Sequence, residues 1–82
     1  MTEVVLYTRG GCHLCEDAEA VLRAAGEQTR FVLRLVDIDA DPELAGRYGV
    51  RVPVVAVDGV EHFEYEVPAD ELLAVLGAAG SA

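Results

Sequence analysis

The sequence predicts a small α/β domain, with four strands in one mixed sheet and helices on both faces, in the chain order βαβαββα. Three observations lead there. A continuous apolar run near the N-terminus gives way to a helical period. A second strand-and-helix unit follows it. Two strand-like runs then flank an Asp-Gly pair, and a last amphipathic stretch closes the chain.

Residues 3–8, EVVLYT, are apolar and rich in β-branched side chains, the pattern of a central strand buried on both faces. Gly10 and Gly11 interrupt it and permit a tight strand-to-helix turn that leaves room for an approaching molecule. From Cys12 to about Ala25, Leu14, Ala18, Val21, Leu22 and Ala25 recur at helical spacing, with Glu16 and Asp17 in the first turn and Gly26 as a stop. Residues 31–37, FVLRLVD, read as a second strand. Arg34 on one face argues for an edge position.

Asp41 is a good N-cap, and Pro42 fits the first position of a short helix that ends near Tyr48, with Gly49 as its cap. Residues 52–57 and 60–65 form a hairpin around Asp58-Gly59, a preferred two-residue turn. Residues 68–77 form the last helix. Strands joined by a helix run parallel through a right-handed crossover, so the hairpin must lie antiparallel beside them. One domain over 1–77 and a disordered tail over 78–82 are expected.

The bulk properties exclude several functions. A net charge of −9 argues against nucleic acid and against anionic membrane surfaces as partners. The N-terminal apolar run, Val4 to Tyr7, is too short for a signal peptide or a membrane span, so a cytoplasmic location is expected. All six basic residues are arginines, and Arg9, Arg47 and Arg51 each stand beside a loop signal. They read either as a local basic patch or as scattered solubilising charges.

The chemistry lies in RGGCHLCEDAEAVL, residues 9–22, which holds both cysteines. As a staple, a Cys12–Cys15 bridge would close a loop worth only about 2 kcal/mol of chain entropy. As a structural zinc site, the chain is short of ligands, with Cys12, Cys15, His13 and His62 the whole supply. No metal and no cofactor is therefore assigned within one chain, although a metal or iron–sulfur cluster shared between two chains stays open. As a redox couple, the pair is well placed. Cys12 falls at a helix N-terminus, where free N–H groups and the helix dipole favour a thiolate, and Cys15 lies one turn behind it. His13 either tunes the Cys12 thiol as an imidazolium or points away into solvent. His62, alone in the hairpin, reads as a surface or structural residue.

VVLYTRGGCHLCEDAEAVL followed by VDIDADPELAGRYGVRVPVVAVDG resembles a glutaredoxin-like protein of the thioredoxin fold, over about residues 3 to 76. The resemblance implies a thioredoxin-like domain and a dithiol oxidoreductase acting on protein or low-molecular-weight disulfides as a monomer. Cys12 would attack and Cys15 resolve. It also implies a cis peptide bond at Pro53, facing the cysteines, with Val52 offering backbone groups to the substrate. Glutathione-using members have Cys-Pro-Tyr-Cys where this chain has Cys12-His13-Leu14-Cys15, and threonine where it has Arg51. Their glycine-rich carboxylate-binding turn is replaced by EYEVPADEL, in which Glu64 and Glu66 would repel a glutathione carboxylate. Arg9, Arg47 and Arg51 would attract one through charge-assisted hydrogen bonds. A second reading is a thioredoxin-fold binding or redox-sensing module.

Overall fold

The computed structural model describes residues 2–80. Its elements are β1 (Glu3–Thr8), α1 (His13–Ala25), β2 (Val32–Asp37), a 3₁₀ turn (Ile38–Ala40), α2 (Pro42–Tyr48), β3 (Val54–Val57), β4 (Val60–Glu64) and α3 (Ala69–Gly80). The sheet order is β2-β1-β3-β4. β1 pairs parallel with β2, Val4 opposite Leu33, and antiparallel with β3, Val4 opposite Val57. The two hairpin strands pair antiparallel. The α/β class, the mixed four-stranded sheet and the edge position of β2 all match the sequence pattern.

Alternation along β1 and β3 divides the interior in two. Val4, Leu6, Val55 and Val57 face α1 and α3, where they meet Ala18, Leu22, Ala25, Leu72 and Leu76. On the other face Val54 packs with Ile38 and Tyr48, flanked by Tyr7, Leu44 and Val52. Two layers of helix therefore cover the sheet, and all four residues of β3 are buried. Edge strand β2 is less regular than its sequence. Leu33 packs on the larger core, but Val32 and Leu35 are each 45% exposed.

The ends of the elements show why these residues suit their places. Asp41 caps α2 by accepting the Glu43 N–H at 2.9 Å, with Pro42 at the start. Asp58 and Gly59 both have positive φ, +49° and +86°, as a primed hairpin turn requires. Gly26 and Gly49 do end their helices, but in the right-handed conformation, φ −63° and −50°, rather than the left-handed one that glycine caps usually supply. Gly49 is needed for a different reason. A Cβ there would collide with the Ala45 carbonyl oxygen.

α3 continues to Gly80, three residues past the expected end at 77. Ala78 and Ala79 are strong helix formers, and Ala79 packs against the core, which sustains the last turn. The final two positions of the expected tail, 81 and 82, lie outside the described residues. No helix among the described residues is long and apolar enough to cross a membrane.

A domain of this size is held by about 4–12 kcal/mol in total, so one core side chain matters. Leu22 is fully buried at the junction of α1, α3 and the sheet. Leu22→Ala is expected to cost about 3 kcal/mol, read as a lowered midpoint with an unchanged slope in urea unfolding.

Candidate redox site

β1 runs through the middle of the sheet and delivers the chain to its C-terminal edge at Thr8. The turn back into α1 takes four residues. Gly11 adopts φ +75°, the conformation that closes this turn; Gly10 has no such requirement and simply faces open space. Cys12 follows as the N-cap of α1, one position before the helix proper, with extended backbone angles of −100° and 112°. Its Sγ accepts a hydrogen bond from the Cys15 N–H at 3.2 Å. A sulfur thus occupies the place normally taken by a serine or aspartate oxygen, against the N–H groups that a helix start leaves free.

Both cysteines are reduced. Cys12 is half-exposed, whereas Cys15 is buried at 2% exposure behind it. Burial pushes the Cys15 thiol up, and the hydrogen bond and charge of Cys12 push it the same way. The Thr8 side chain and the Arg9 backbone act in the opposite sense.

β3 brings the second half of the site. Tyr7 of β1 pairs with Val54, so the chain just before β3 meets the same sheet edge as the Cys12 turn. That segment is Val52-Pro53, joined by a cis peptide bond. Pro53 is buried, and its carbonyl accepts from the Tyr65 N–H at 2.9 Å. The family resemblance has Val52 offering backbone groups to a substrate, but its N–H already donates to the Tyr48 carbonyl at 3.1 Å.

Two of the three arginines, Arg9 and Arg51, are taken up by acidic partners. Arg9 forks onto Asp39 at 2.7 and 3.3 Å, and its third nitrogen donates to the Gly49 carbonyl at 2.9 Å. Asp39 is held below the usual carboxylate range by that hydrogen bond. Arg51 bonds both Glu61 (2.6 Å) and Glu64 (2.7 Å), and lies 5.5 Å above the Tyr48 ring. Arg47 lies 5.9 Å over the same ring and is exposed. The three arginines predicted to attract a carboxylate therefore do not converge as free cations. Arg9 and Arg51 serve the fold, because acidic partners distant in sequence reach them first.

His13 does not contact the Cys12 sulfur. Its side chain is 97% exposed and points its Nδ1 to Glu16 at 3.5 Å, the outward arrangement of the two that the sequence allowed. His62 is exposed, with its ring 6.2 Å from Phe63. Among the described residues no three His, Cys, Asp or Glu side chains gather as a metal site.

Several contributors carried no sequence signal of their own. Asp39 and Glu61 look like ordinary surface acids until the fold sets them against arginines, and Glu64, expected to repel a carboxylate, is instead taken by Arg51. Tyr48 is buried between layers, stacked on Tyr7 at 4.2 Å, and donates its hydroxyl to Glu61 at 3.0 Å. Burial, reinforced by that bond, pushes its phenol up to about 12.

The Arg51 pair gives a test through acid stability. Arg51 lowers Glu61 in the folded state, so the stability it supplies is complete above the unfolded value of about 4.3 and is lost as pH falls through the folded one. Arg51→Gln is expected to lower stability at pH 7 and to flatten its fall below about pH 5. Urea titrations between pH 3 and 7 measure both effects.

Comparison with known proteins gives four results. Residues 3–77 match the glutaredoxin-like domain (DUF836). Rv0508, an uncharacterized protein of Mycobacterium tuberculosis strain H37Rv, is 34% identical over 77 residues, covering 88% of this chain and 79% of its own. Among solved structures, protein XcR50 from X. campestris is 38% identical with a TM-score of 0.74, covering 92% of this chain and 96% of its own. A mutant thioredoxin from Halobacterium salinarum is 27% identical with a TM-score of 0.71, covering 94% of this chain and 73% of its own.

Proposed function

Because the chain belongs to the glutaredoxin-like family and has the thioredoxin fold, with two neighbouring cysteines that make it a redox module, we propose that it is a dithiol thiol–disulfide oxidoreductase. One observation carries the reading: the half-exposed Cys12 sulfur caps a helix start and accepts the N–H of Cys15, which is buried directly behind it.

The Cys12 thiolate attacks one sulfur of a substrate disulfide. A bond forms between that sulfur and Cys12, and the other substrate sulfur leaves as a thiolate and takes a proton. The backbone N–H at 3.2 Å supports the negative charge before attack. Cys15 then loses its proton and attacks the Cys12 sulfur. The Cys12–Cys15 disulfide forms, and the second substrate thiol is released. The substrate has gained two electrons and two protons from the dithiol. Two equivalents of an external monothiol, or one dithiol, return the pair to its reduced form and are themselves oxidised.

The order of steps follows from the charges. While Cys12 is a thiolate, its charge and its hydrogen bond hold the Cys15 proton in place. Once Cys12 is tied up in the mixed disulfide, both influences disappear, and the contributions of Thr8 and the Arg9 backbone favour the Cys15 thiolate. Burial still raises the Cys15 thiol, but the first step removes the two influences of Cys12 that opposed its ionisation.

Cys12→Ser is expected to reduce disulfide-reductase activity by more than roughly a hundredfold. Cys15→Ser is expected to keep the attack but to accumulate the mixed disulfide, visible as an added substrate mass by intact-protein mass spectrometry. Full turnover in Cys12→Ser would refute the mechanism.

A further inference from the structure

Beside the cysteine pair, α1 and the segment after β4 enclose an open groove of about 320 Å³. Leu14, the residue between His13 and Cys15, forms one wall and is 43% exposed. Tyr65 forms the other and is 48% exposed. Ala18 and Val67 are buried side chains of its lining. Asp17 stands on the α1 side, and Glu66 on the side of Tyr65.

Tyr65 has φ +68°, a left-handed conformation uncommon for an aromatic residue. The hydrogen bond from its N–H to the Pro53 carbonyl holds it there. The groove wall is therefore tied to the segment that reaches the same sheet edge as the Cys12 turn.

The charge balance at this edge is one-sided. Arg9 is taken by Asp39 and Arg51 by Glu61 and Glu64, Arg47 lies over the Tyr48 ring, and none of the three lines the groove. Among the described residues, no basic side chain pairs with Asp17 or Glu66. A molecule resting in the groove meets apolar walls and two unpaired carboxylates, one on each side.

We propose that this groove is a subsite for a cationic, partly apolar polypeptide segment adjoining the substrate's reacting cysteine, so that the site takes protein disulfides of that kind in preference to glutathione mixed disulfides. The inference rests on the oxidoreductase reading above. Glutathione is a poor occupant because it carries two carboxylates, which Asp17 and Glu66 would repel. A segment with Lys or Arg beside Leu or Val places cations against both acids and its apolar carbons against Leu14 and Tyr65. The steps of exchange are unchanged. The groove decides which disulfide is held for attack.

The test uses three disulfides: a peptide disulfide flanked by Lys and Leu, its counterpart with Glu for Lys, and a glutathione mixed disulfide of a small thiol. Single-turnover reduction by the pre-reduced protein is followed as a second-order rate constant. The Lys peptide is expected to exceed the Glu peptide by about tenfold at 50 mM salt, with the ratio shrinking at 500 mM. Asp17→Asn with Glu66→Gln is expected to bring that ratio toward one. Glu27→Gln removes a charge beyond the C-terminal end of α1, away from the groove lining, and is expected to leave the ratio intact. Equal rates for the two peptides, a ratio unmoved by the double substitution, or faster reduction of the glutathione mixed disulfide would overturn the subsite. Failure to reduce any of the three would instead remove the oxidoreductase reading on which it rests.

Discussion

The organisation of this protein depends on one constraint: β1 is the inner strand that joins both kinds of pairing. It must pair parallel with β2 on one side and antiparallel with β3 on the other, while Val4 and Leu6 are completely buried on one face and Tyr7 packs on the other. That fixes where the strand ends and in which direction the chain leaves. Four residues later the chain must already be helical, because Ala18 and Leu22 have to reach the core. The cap position of that helix falls at Cys12. The same burial that holds β1 in register therefore sets the sulfur at the sheet edge, and the first turn of α1 places Cys15 behind it in a dry environment.

Electrostatics around the site are arranged by pairs distant in sequence. Arg9 leaves β1, yet its partner Asp39 follows β2 and its third contact is the carbonyl of Gly49, after α2. One guanidinium thus ties the Cys12 turn to both elements on the second face of the sheet. Arg51 does the same for the hairpin, with Glu61, Glu64 and Tyr48 around it. These pairs are exposed, and their worth lies in holding loops in register more than in bulk stability. Their chemical consequence is larger. The charges of Arg9 and Arg51 are neutralised internally, and Arg47 is left exposed over the Tyr48 ring.

The fold was legible because its signals are local and mutually consistent. The β-branched run at 3–8, the helical period from Leu14 to Ala25, the Asp41-Pro42 start and the Asp58-Gly59 turn each specify an element without help from the rest. The cysteine pair was legible for the same reason, since spacing and helix start are both short-range. The fates of the arginines were not. In a regular strand, Glu61 and Glu64, three residues apart, would point to opposite faces. A register shift opposite Val55 and Ala56 inserts an extra residue in β4, and both carboxylates reach Arg51. No sequence pattern announces such a bulge. The outward turn of His13 and the use of the Val52 N–H by Tyr48 likewise depend on three-dimensional neighbours.

In the proposed mechanism Cys12 and Cys15 interconvert between dithiol and disulfide without rebuilding the domain. This interconversion is tested most directly by equilibrating the protein with thiol–disulfide buffers of graded potential, quenching with acid and counting trapped thiols by mass. A single reversible two-electron transition is expected, with both thiols lost together, at a midpoint within roughly −300 to −120 mV, the span of thioredoxin-fold couples and their surroundings. Thiols that stay free across that range, or that are lost one at a time as adducts of the buffer thiol, would contradict it.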